Sequence, residues 1–468
     1  MTAPVAQGLR SEPRFPLLAR VTPLLIGLLL TALLVALVRR PFRSFDTYFH
    51  LRFGEEFRHG WSVSHPGQLS AASTADWAPT QWLPQMGMSW LSDTLGRSGL
   101  VVLFALVVVV FVAAVHLLLR RYAGPGVAVA LSAVVVLGCL PSLSLRPQVL
   151  SYLFLILVLA AWDRARRTGR APWLLGPLGW VWATSHGMWI IGVAVCAFLA
   201  VLLVVEQRPG RRRSAELLAV PVLMLGFALV TPVGPRLLTA VLEVNSRSEY
   251  FGEWNVPHLL SLGAAPLAAL LAAAVLLLVR RAEVRPYDIG LLALGGAFAV
   301  YSGRTVPLAV ITLAVVVASE LGRRGSRPRL GARELALVAV LGALVVVVAP
   351  FQRIVDDAAT PVRPFADRLG QLPAGSLVVT DWPTGGVLLW TEPRLDVPLH
   401  GYGDVYTDAE LARYVDLGRL EPHWDDTLGR LHPAAALLPE DEPLTYALLE
   451  LGWRVDQRAG DLVLLSPR

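Results

Sequence analysis

Long apolar segments separated by short arginine-containing loops dominate the first 350 residues. An α-helix needs about 20 predominantly apolar residues to cross a lipid bilayer. About eleven segments approach this length, and several are short. They are Leu18–Val38, Leu100–Leu119, Gly124–Leu143, Val149–Trp162, Pro172–Ser185, Gly187–Val205, Leu217–Val233, Leu259–Val279, Tyr287–Tyr301, Thr305–Leu321 and Glu334–Ala349. The pattern predicts an all-α polytopic membrane domain over residues 1–350.

The pattern changes after residue 350, where strand-like and helix-like pieces alternate over a tail of residues 351–468. In chain order the pieces are Ser376–Thr380, Gly386–Trp390, Asp408–Leu420, Ala434–Leu438, Leu444–Leu451 and Leu462–Leu465. Such alternation is typical of a small α/β domain. Neither a G-x-G-x-x-G fingerprint nor a P-loop accompanies it, so nucleotide binding has no support.

Composition narrows the class of protein further. Of 468 residues, 55% are hydrophobic and 16% are charged, whereas soluble domains carry about 25% charged residues. This excludes a soluble enzyme and a disordered chain. All 41 basic residues are arginine, which is typical of a GC-rich bacterial source. The first 350 residues hold 31 Arg and 16 acidic residues, and the tail holds 10 and 19. The positive charge follows the membrane loops, and no basic patch with interleaved aromatics predicts nucleic-acid binding.

Arginine placement predicts the orientation of the chain in the membrane. With the N-terminus in the cytoplasm, the alternating loops carry 21 Arg inside and 10 outside. Six of those ten lie in one long first outer loop, residues 39–99, where the positive-inside rule is weaker. We therefore expect the N-terminus inside a bacterial cytoplasmic membrane, with the first outer loop and the tail outside.

Polar side chains recur at the predicted outer ends of the spans. The first outer loop carries Asp46, His50, Arg52, Glu55, Gln81 and Trp82, and the later outer turns carry Arg146, Gln148, His186, Arg247, Glu253, Trp254 and Arg304. Each of these residues taken alone has a simpler explanation. An arginine at the end of a span extends its charged group to the membrane surface, and a polar helix lies solvated in the membrane interface. Five outer turns presenting polar groups would, however, surround one outward-facing cavity. Arginines suit a phosphate, a carboxylate suits a general base and tryptophan suits a sugar ring.

Several of these motifs resemble a known architecture. The segment Phe45–Gly54, FDTYFHLRFG, resembles the D-T-W-W-H-L-x-x-G opening of bacterial membrane proteins with a C-fold glycosyltransferase (GT-C) architecture. Further segments resemble later signatures of that family in the same order. They are Asp76–Leu83, Arg146–Gln148, His186–Gly187, Thr231–Gly234, Glu253–Trp254 and Asp381–Trp390.

The resemblance implies a function and roles for the candidate residues. Such enzymes transfer a sugar from a polyprenyl-phosphate donor to an acceptor on the outer membrane face, and Asp46 has the position of their catalytic base. Arg146, Arg247 and Arg304 become candidates for binding the donor phosphate. The remaining candidate contacts to sugar or acceptor are His50, Arg52, Glu55, Gln81, Trp82, Gln148, His186, Glu253 and Trp254. The acceptor, whether glycan, lipid or protein, stays open.

This chain also departs from the family pattern. Many members carry two acidic residues at the catalytic position, whereas Asp46 is flanked by Phe45 and Thr47. A divalent cation held by Asp46 and a carboxylate such as Glu253 therefore stays an open alternative. Two other functions stay open: a transporter or flippase of a lipid-linked solute, and a non-catalytic envelope-assembly protein.

The role of the tail is also open. Its acidic residues, Asp381, Asp404, Asp425 and Asp426, are most simply a solvated surface. In the alternative, Gly385, Gly386 and neighbouring aromatics dock over the membrane cavity.

Overall fold

The computed structural model describes residues 16–247, 250, 252–257, 264–323 and 330–468, with side chains except at 16–20, 244–246 and 253. These residues are mostly helical, with a small sheet near the C-terminus. The helices up to residue 350 are α1 Pro16–Val38, α2 Asp46–Arg58, α3 Trp82–Arg120, α4 Pro125–Cys139, α5 Gln148–Thr168, α6 Leu175–Ser185, α7 Trp189–Gln207, α8 Arg211–Leu229, α9 Arg236–Ser246, α10 Ala265–Val279, α11 Pro286–Tyr301, α12 Val306–Arg323 and α13 Ala332–Val348.

Each predicted apolar segment overlaps one of these helices, namely α1, α3–α8 or α10–α13, and residues 259–263 of Leu259–Val279 lie outside the described residues. Within the described ranges, seven stretches are long and apolar enough to cross a membrane: Val21–Val38, Trp82–Arg120, Pro125–Ser142, Gln148–Thr168, Trp189–Gln207, Gly303–Arg323 and Ala332–Phe351. The protein is thus a multi-pass membrane protein, and eleven spans remain a prediction. α3 is broken at Gly96, whose φ is 60°. Its first half, residues 82–95, belongs to the predicted first outer loop.

Ion pairs join the helices at one end of the bundle, which we call the arginine end. The pairs, with N–O distances, are Arg121–Asp163 at 2.9 Å, Arg166–Glu206 at 2.6 Å, Arg281–Glu320 at 2.6 Å and Arg323–Asp288 at 2.9 Å. The four carboxylates have side chains at most 14% exposed, and buried carboxylates need such partners. This is the end that the arginine count places in the cytoplasm.

The tail forms a four-stranded sheet with helices packed around it. The strands are β1 Val378–Thr380, β2 Ala435–Pro439, β3 Arg454–Ala459 and β4 Leu462–Ser466, in the order β1-β2-β4-β3. β1 and β2 are parallel, and the other two pairs are antiparallel. The helices are α14 Ala366–Gln371, α15 Trp382–Thr391, α16 Asp408–Arg419, α17 Trp424–Leu431 and α18 Pro443–Glu450.

Segment 386–390 is apolar enough for a strand but belongs to α15. Asp381 caps this helix, because its carboxylate accepts the backbone N–H of Thr384 at 2.9 Å. Pro383 in the first turn suits a helix start. Val387, Leu388 and Leu389 are buried, and the helix packs mainly against α2 of the first outer loop.

The tail is docked on the first outer loop. Glu410 accepts hydrogen bonds from the hydroxyl of Thr74 at 2.6 Å and from its backbone N–H at 3.2 Å. The hydroxyl of Tyr414 donates to the carbonyl of Ala72 at 2.6 Å, and the N–H of Ala75 donates to the carbonyl of Val405 at 3.1 Å. These contacts, more than 300 residues apart in the chain, hold the tail against the end of the bundle opposite the arginine end.

Candidate active site

Asp46 and Arg146 form an ion pair although they are 100 residues apart. Asp46 begins α2, where a carboxylate interacts favourably with the helix dipole. The next residue, Thr47, donates its hydroxyl to the carbonyl of Leu145 at 3.0 Å, which fixes the two segments side by side. Arg146 Nη1 then lies 2.7 Å from Asp46 Oδ2, with side chains 9% and 15% exposed.

A cavity of about 460 Å³ opens beside this pair. Nine of the thirteen residues predicted from the sequence line it: Asp46, His50, Gln81, Arg146, Gln148, His186, Arg247, Trp254 and Arg304. The predicted convergence of several outer turns on one cavity is therefore present in the fold. Their catalytic and binding roles remain proposals.

The other four predicted residues are placed differently. Arg52 binds Glu55 and Glu56 on its own helix, each at 2.6 Å, and neither Arg52 nor Glu55 lines the cavity. Their spacing of three and four residues puts them on one helix face, so they pair locally. Trp82 is partly buried against the apolar core and does not line the cavity. The side chain of Glu253 lies outside the described residues.

His50 is a buried neutral residue of the cavity wall. The side-chain amide Nε2 of Gln85 donates to its Nδ1 at 3.0 Å. Burial lowers the pKa of His50 well below its usual range, and the nearby charge of Arg146 lowers it further. His50 is therefore a neutral hydrogen-bonding group at neutral pH. Gln85 is a polar residue of the first outer loop that is not among the predicted site residues, and it lies one helical turn after Gln81, to whose carbonyl its N–H donates at 3.2 Å.

His186 is held in a second hydrogen-bonded chain. The indole N–H of Trp182 donates to Ser151 Oγ at 2.8 Å, and Ser151 in turn lies 3.0 Å from His186 Nδ1. This chain orients the imidazole at the end of α6. Both histidines thus present fixed rings to the cavity.

The two later arginines are anchored from different directions. Arg247, 7% exposed, lies with Nε 2.6 Å from Asp408 Oδ1 and donates through Nη1 to the carbonyl of Gly403 at 3.2 Å. Arg304 stacks over the ring of Trp254, with its guanidinium carbon 5.1 Å from the ring centroid. A guanidinium has five N–H donors in a planar fork, so these anchors set where each arginine points.

The tail completes the wall of the cavity with Trp382, Gly401, Tyr402, Gly403 and Asp404. The expectation of a solvated Asp404 is wrong, because this carboxyl is partly buried and lines the cavity. Burial raises the pKa of Asp404 to about 6, against the lowering effect of Arg247 and Arg304. Asp425 and Asp426 are exposed, as expected. Docking of the tail over the cavity, the alternative reading, is what the fold shows.

Phe45, directly before Asp46, is wedged between two glycines of the tail. A Cβ at Gly401 would lie 2.7 Å from Phe45 Cε2, and one at Gly386 would lie 2.8 Å from its Cδ2. The tail therefore packs directly against the residue that leads into Asp46.

This wedge predicts a specific effect of Gly401→Ala. Gly401 has φ +78° and contacts Phe45, whereas Gly375 has φ +80° and nothing near its Cβ position. Both alanine variants carry the same backbone strain, so the Phe45 clash should cost Gly401→Ala an additional ~1–3 kcal/mol. Thermal unfolding of the two variants in detergent measures this difference. Equal midpoints would show that the wedge contributes nothing.

A metal ion is not assigned to the cavity. Within the described ranges, no group of three or more His, Cys, Asp and Glu side chains could hold one. The side chain of Glu253, the carboxylate that the open alternative pairs with Asp46, lies outside the described residues. Asp46 Oδ2 is bound to Arg146 Nη1.

Comparison with known proteins identifies the fold. No family model and no curated protein matches the sequence. The structure is similar to an Archaeoglobus fulgidus oligosaccharyltransferase, solved as a crystal structure tethered to an acceptor peptide containing the NVT sequon. The TM-score is 0.52 at 12% identity, over 92% of this chain and 70% of that chain. It also matches a cryo-EM structure of the arabinofuranosyltransferase AftD from Mycobacteria, with TM-score 0.46 at 15% identity. That match covers 97% of this chain and 40% of that chain. The first likeness shows that this chain has a GT-C-like fold.

Proposed function

We propose that the protein is a membrane glycosyltransferase that moves a sugar from a polyprenyl-phosphate donor to an acceptor, with Asp46 as the catalytic base. One observation carries the proposal. The Asp46–Arg146 pair lies in a cavity that also presents Arg247 and Arg304. A carboxylate and three guanidinium groups suit the transfer of a sugar away from a phosphate leaving group.

The lining of the cavity suits both ends of such a donor. Ile190, Ile191 and Val241 contribute apolar surface to the same wall, and a prenyl chain gains free energy when it leaves water for such surface. The arginines supply charge-assisted hydrogen bonds to phosphate oxygens. A lipid-linked phosphate is therefore a better match for this cavity than a soluble sugar nucleotide.

Asp46 supports transfer by taking a proton from the acceptor. The acceptor oxygen or nitrogen attacks the anomeric carbon, and the bond from that carbon to the phosphate oxygen breaks. The electron pair of that bond stays on the phosphate, and the acceptor's proton passes to Asp46. Arg146 orients the Asp46 carboxylate through their 2.7 Å contact.

We also propose the placement in the cell and the division of the chain. Residues 1–350 form the multi-span domain, and residues 351–468 form an extracytoplasmic domain over its outer end. The bacterial cytoplasmic membrane and the inside N-terminus rest on the arginine count. The position of the cavity opposite the arginine end supports this arrangement.

Substitution of Arg304 tests the donor-binding role. We expect Arg304→Gln to raise the KM for the lipid-phosphate donor by about 10- to 100-fold, because a charge-assisted hydrogen bond to phosphate is lost. Arg52→Gln is the matched control, since Arg52 binds Glu55 and Glu56 outside the cavity. The assay follows label from a panel of radiolabelled polyprenyl-phosphate sugars in membranes that contain the protein.

The same panel separates the alternatives. Transfer with an unchanged donor KM in Arg304→Gln would remove this arginine from the donor site. Donor movement across sealed vesicles without any transfer would favour a flippase. Absence of both binding and transfer across the panel would favour a non-catalytic assembly protein.

A further inference from the structure

Asp404 is a carboxyl that the tail places in the cavity, and the chemistry proposed above gives it no role. It lies in a single turn of 3-10 helix, Gly403–Val405. Arg247 and Arg304 line the same cavity. Arg247 donates to the carbonyl of Gly403, the residue before Asp404. A carboxyl is thus fixed beside the groups proposed to hold the donor phosphate.

The surroundings of Asp404 determine its charge. Burial raises the pKa of Asp404 to about 6, Arg247 and Arg304 lower it, and Glu243 on α9 raises it. Since the resulting pKa lies below 7, Asp404 carries a negative charge at neutral pH and loses it as the pH falls through about 6.

Two of the arginines in the cavity have carboxylate partners. Arg146 is paired with Asp46, and Arg247 with Asp408. His50 is neutral, because burial holds its pKa well below the usual range. The positive charges of Arg146 and Arg247 are therefore partly offset before an anion enters, and each additional negative charge on that anion is repelled by Asp404.

This matters because transfer changes the charge of the donor. A polyprenyl-phosphate sugar is a phosphodiester with one negative charge. Once the sugar has left, the remaining phosphate is a monoester, and such groups have a second pKa near 6 and a charge of about −1.5 to −2 at pH 7. The product thus gains charge beside Asp404.

We propose that Asp404 discriminates between the two phosphates: it tolerates the diester donor and repels the monoester product, which promotes product release. This inference rests on the proposed function, because it takes the cavity to be a lipid-phosphate site. It assigns the tail a part in turnover, through a carboxylate that neither accepts the acceptor's proton nor binds the sugar.

Two short-chain probes test the discrimination: farnesyl phosphate, a monoester, and its methyl diester. Their equilibrium binding is measured on the full-length protein in nanodiscs at pH 7.5. We expect Asp404→Asn to bind the monoester about tenfold more tightly than the unmodified protein does, with a clearly smaller change for the diester. Asp425→Asn, an exposed aspartate of the same tail, should change neither affinity. At pH 5 the gain of Asp404→Asn should disappear, because Asp404 is then protonated in the unmodified protein.

The outcomes distinguish this inference from the proposed function. Equal changes for the two probes, no change, or weaker monoester binding by Asp404→Asn would overturn the role of Asp404. The lipid-phosphate site itself would survive those results if Arg304→Gln weakened both probes. Failure of the unmodified protein to bind either probe would overturn both the donor class and the inference.

Discussion

Asp46→Asn should lower kcat for sugar transfer by about 10²–10⁴-fold, the usual contribution of a positioned general base. The asparagine keeps the size of the side chain and an oxygen that can accept from Arg146, whose Nη1 lies 2.7 Å from Asp46 Oδ2. It removes the negative charge and the ability to take a proton. Donor binding should therefore change little while turnover is lost.

A matched control separates chemistry from folding. Glu55 lies on the same helix as Asp46, pairs with Arg52 and does not line the cavity. Glu55→Gln should keep kcat within about twofold, because partly exposed ion pairs contribute little. A large loss in Glu55→Gln at normal expression would mean that the first outer loop, rather than Asp46, is being disrupted.

Asp356→Ala should give the largest loss of stability. This carboxylate, with a side chain 1% exposed, joins the start of the tail to the first outer loop. It accepts hydrogen bonds from Tyr48 at 2.6 Å, Arg97 at 2.7 Å, Arg363 at 2.9 Å and the N–H of Ala359 at 3.0 Å. Alanine leaves the buried Tyr48 hydroxyl without its acceptor, and we expect a cost of about 2–4 kcal/mol.

The neighbouring residue supplies the control for this prediction. Asp357 pairs with Arg40, whose side chain is 53% exposed, so Asp357→Ala should cost about 0–1 kcal/mol. Thermal unfolding in detergent and limited proteolysis of the tail measure both variants. If Asp356→Ala also undocks the tail, Asp404 leaves the cavity and transfer falls with stability. If the two variants unfold at the same temperature, Asp356 does not hold the tail to the first outer loop.

Much of the fold follows from local pattern. Within the described residues, the predicted apolar segments overlap helices because long apolar runs in a bilayer favour helix regardless of their partners. Within the tail, local signals determined α15: the capping Asp381 and the following proline outweighed the β-like apolar run at 386–390. The N-cap hydrogen bond from Thr384 to Asp381 stabilises the start of a helix. The preference of apolar side chains for strands depends strongly on their neighbours, and here it is the weaker effect.

The candidate site was less accessible to sequence reasoning. Asp46 and Arg146 are accessible to sequence reasoning because each stands at a predicted outer turn, whereas the sequence indicates only a solvated surface for Asp404. Its place in the cavity depends on tail docking through contacts such as Thr74–Glu410, 336 residues apart. Arg52 and Glu55 were named for their charge, and their local helical spacing turned them toward each other.

The most direct test of the account is a transfer assay with three proteins side by side: the unmodified chain, Asp46→Asn and Glu55→Gln. Membranes that contain equal amounts of each receive the panel of radiolabelled polyprenyl-phosphate sugars. The account predicts that label reaches an acceptor with the unmodified chain and Glu55→Gln and not with Asp46→Asn, while all three bind the donor. Transfer by Asp46→Asn at the rate of the unmodified chain would contradict it.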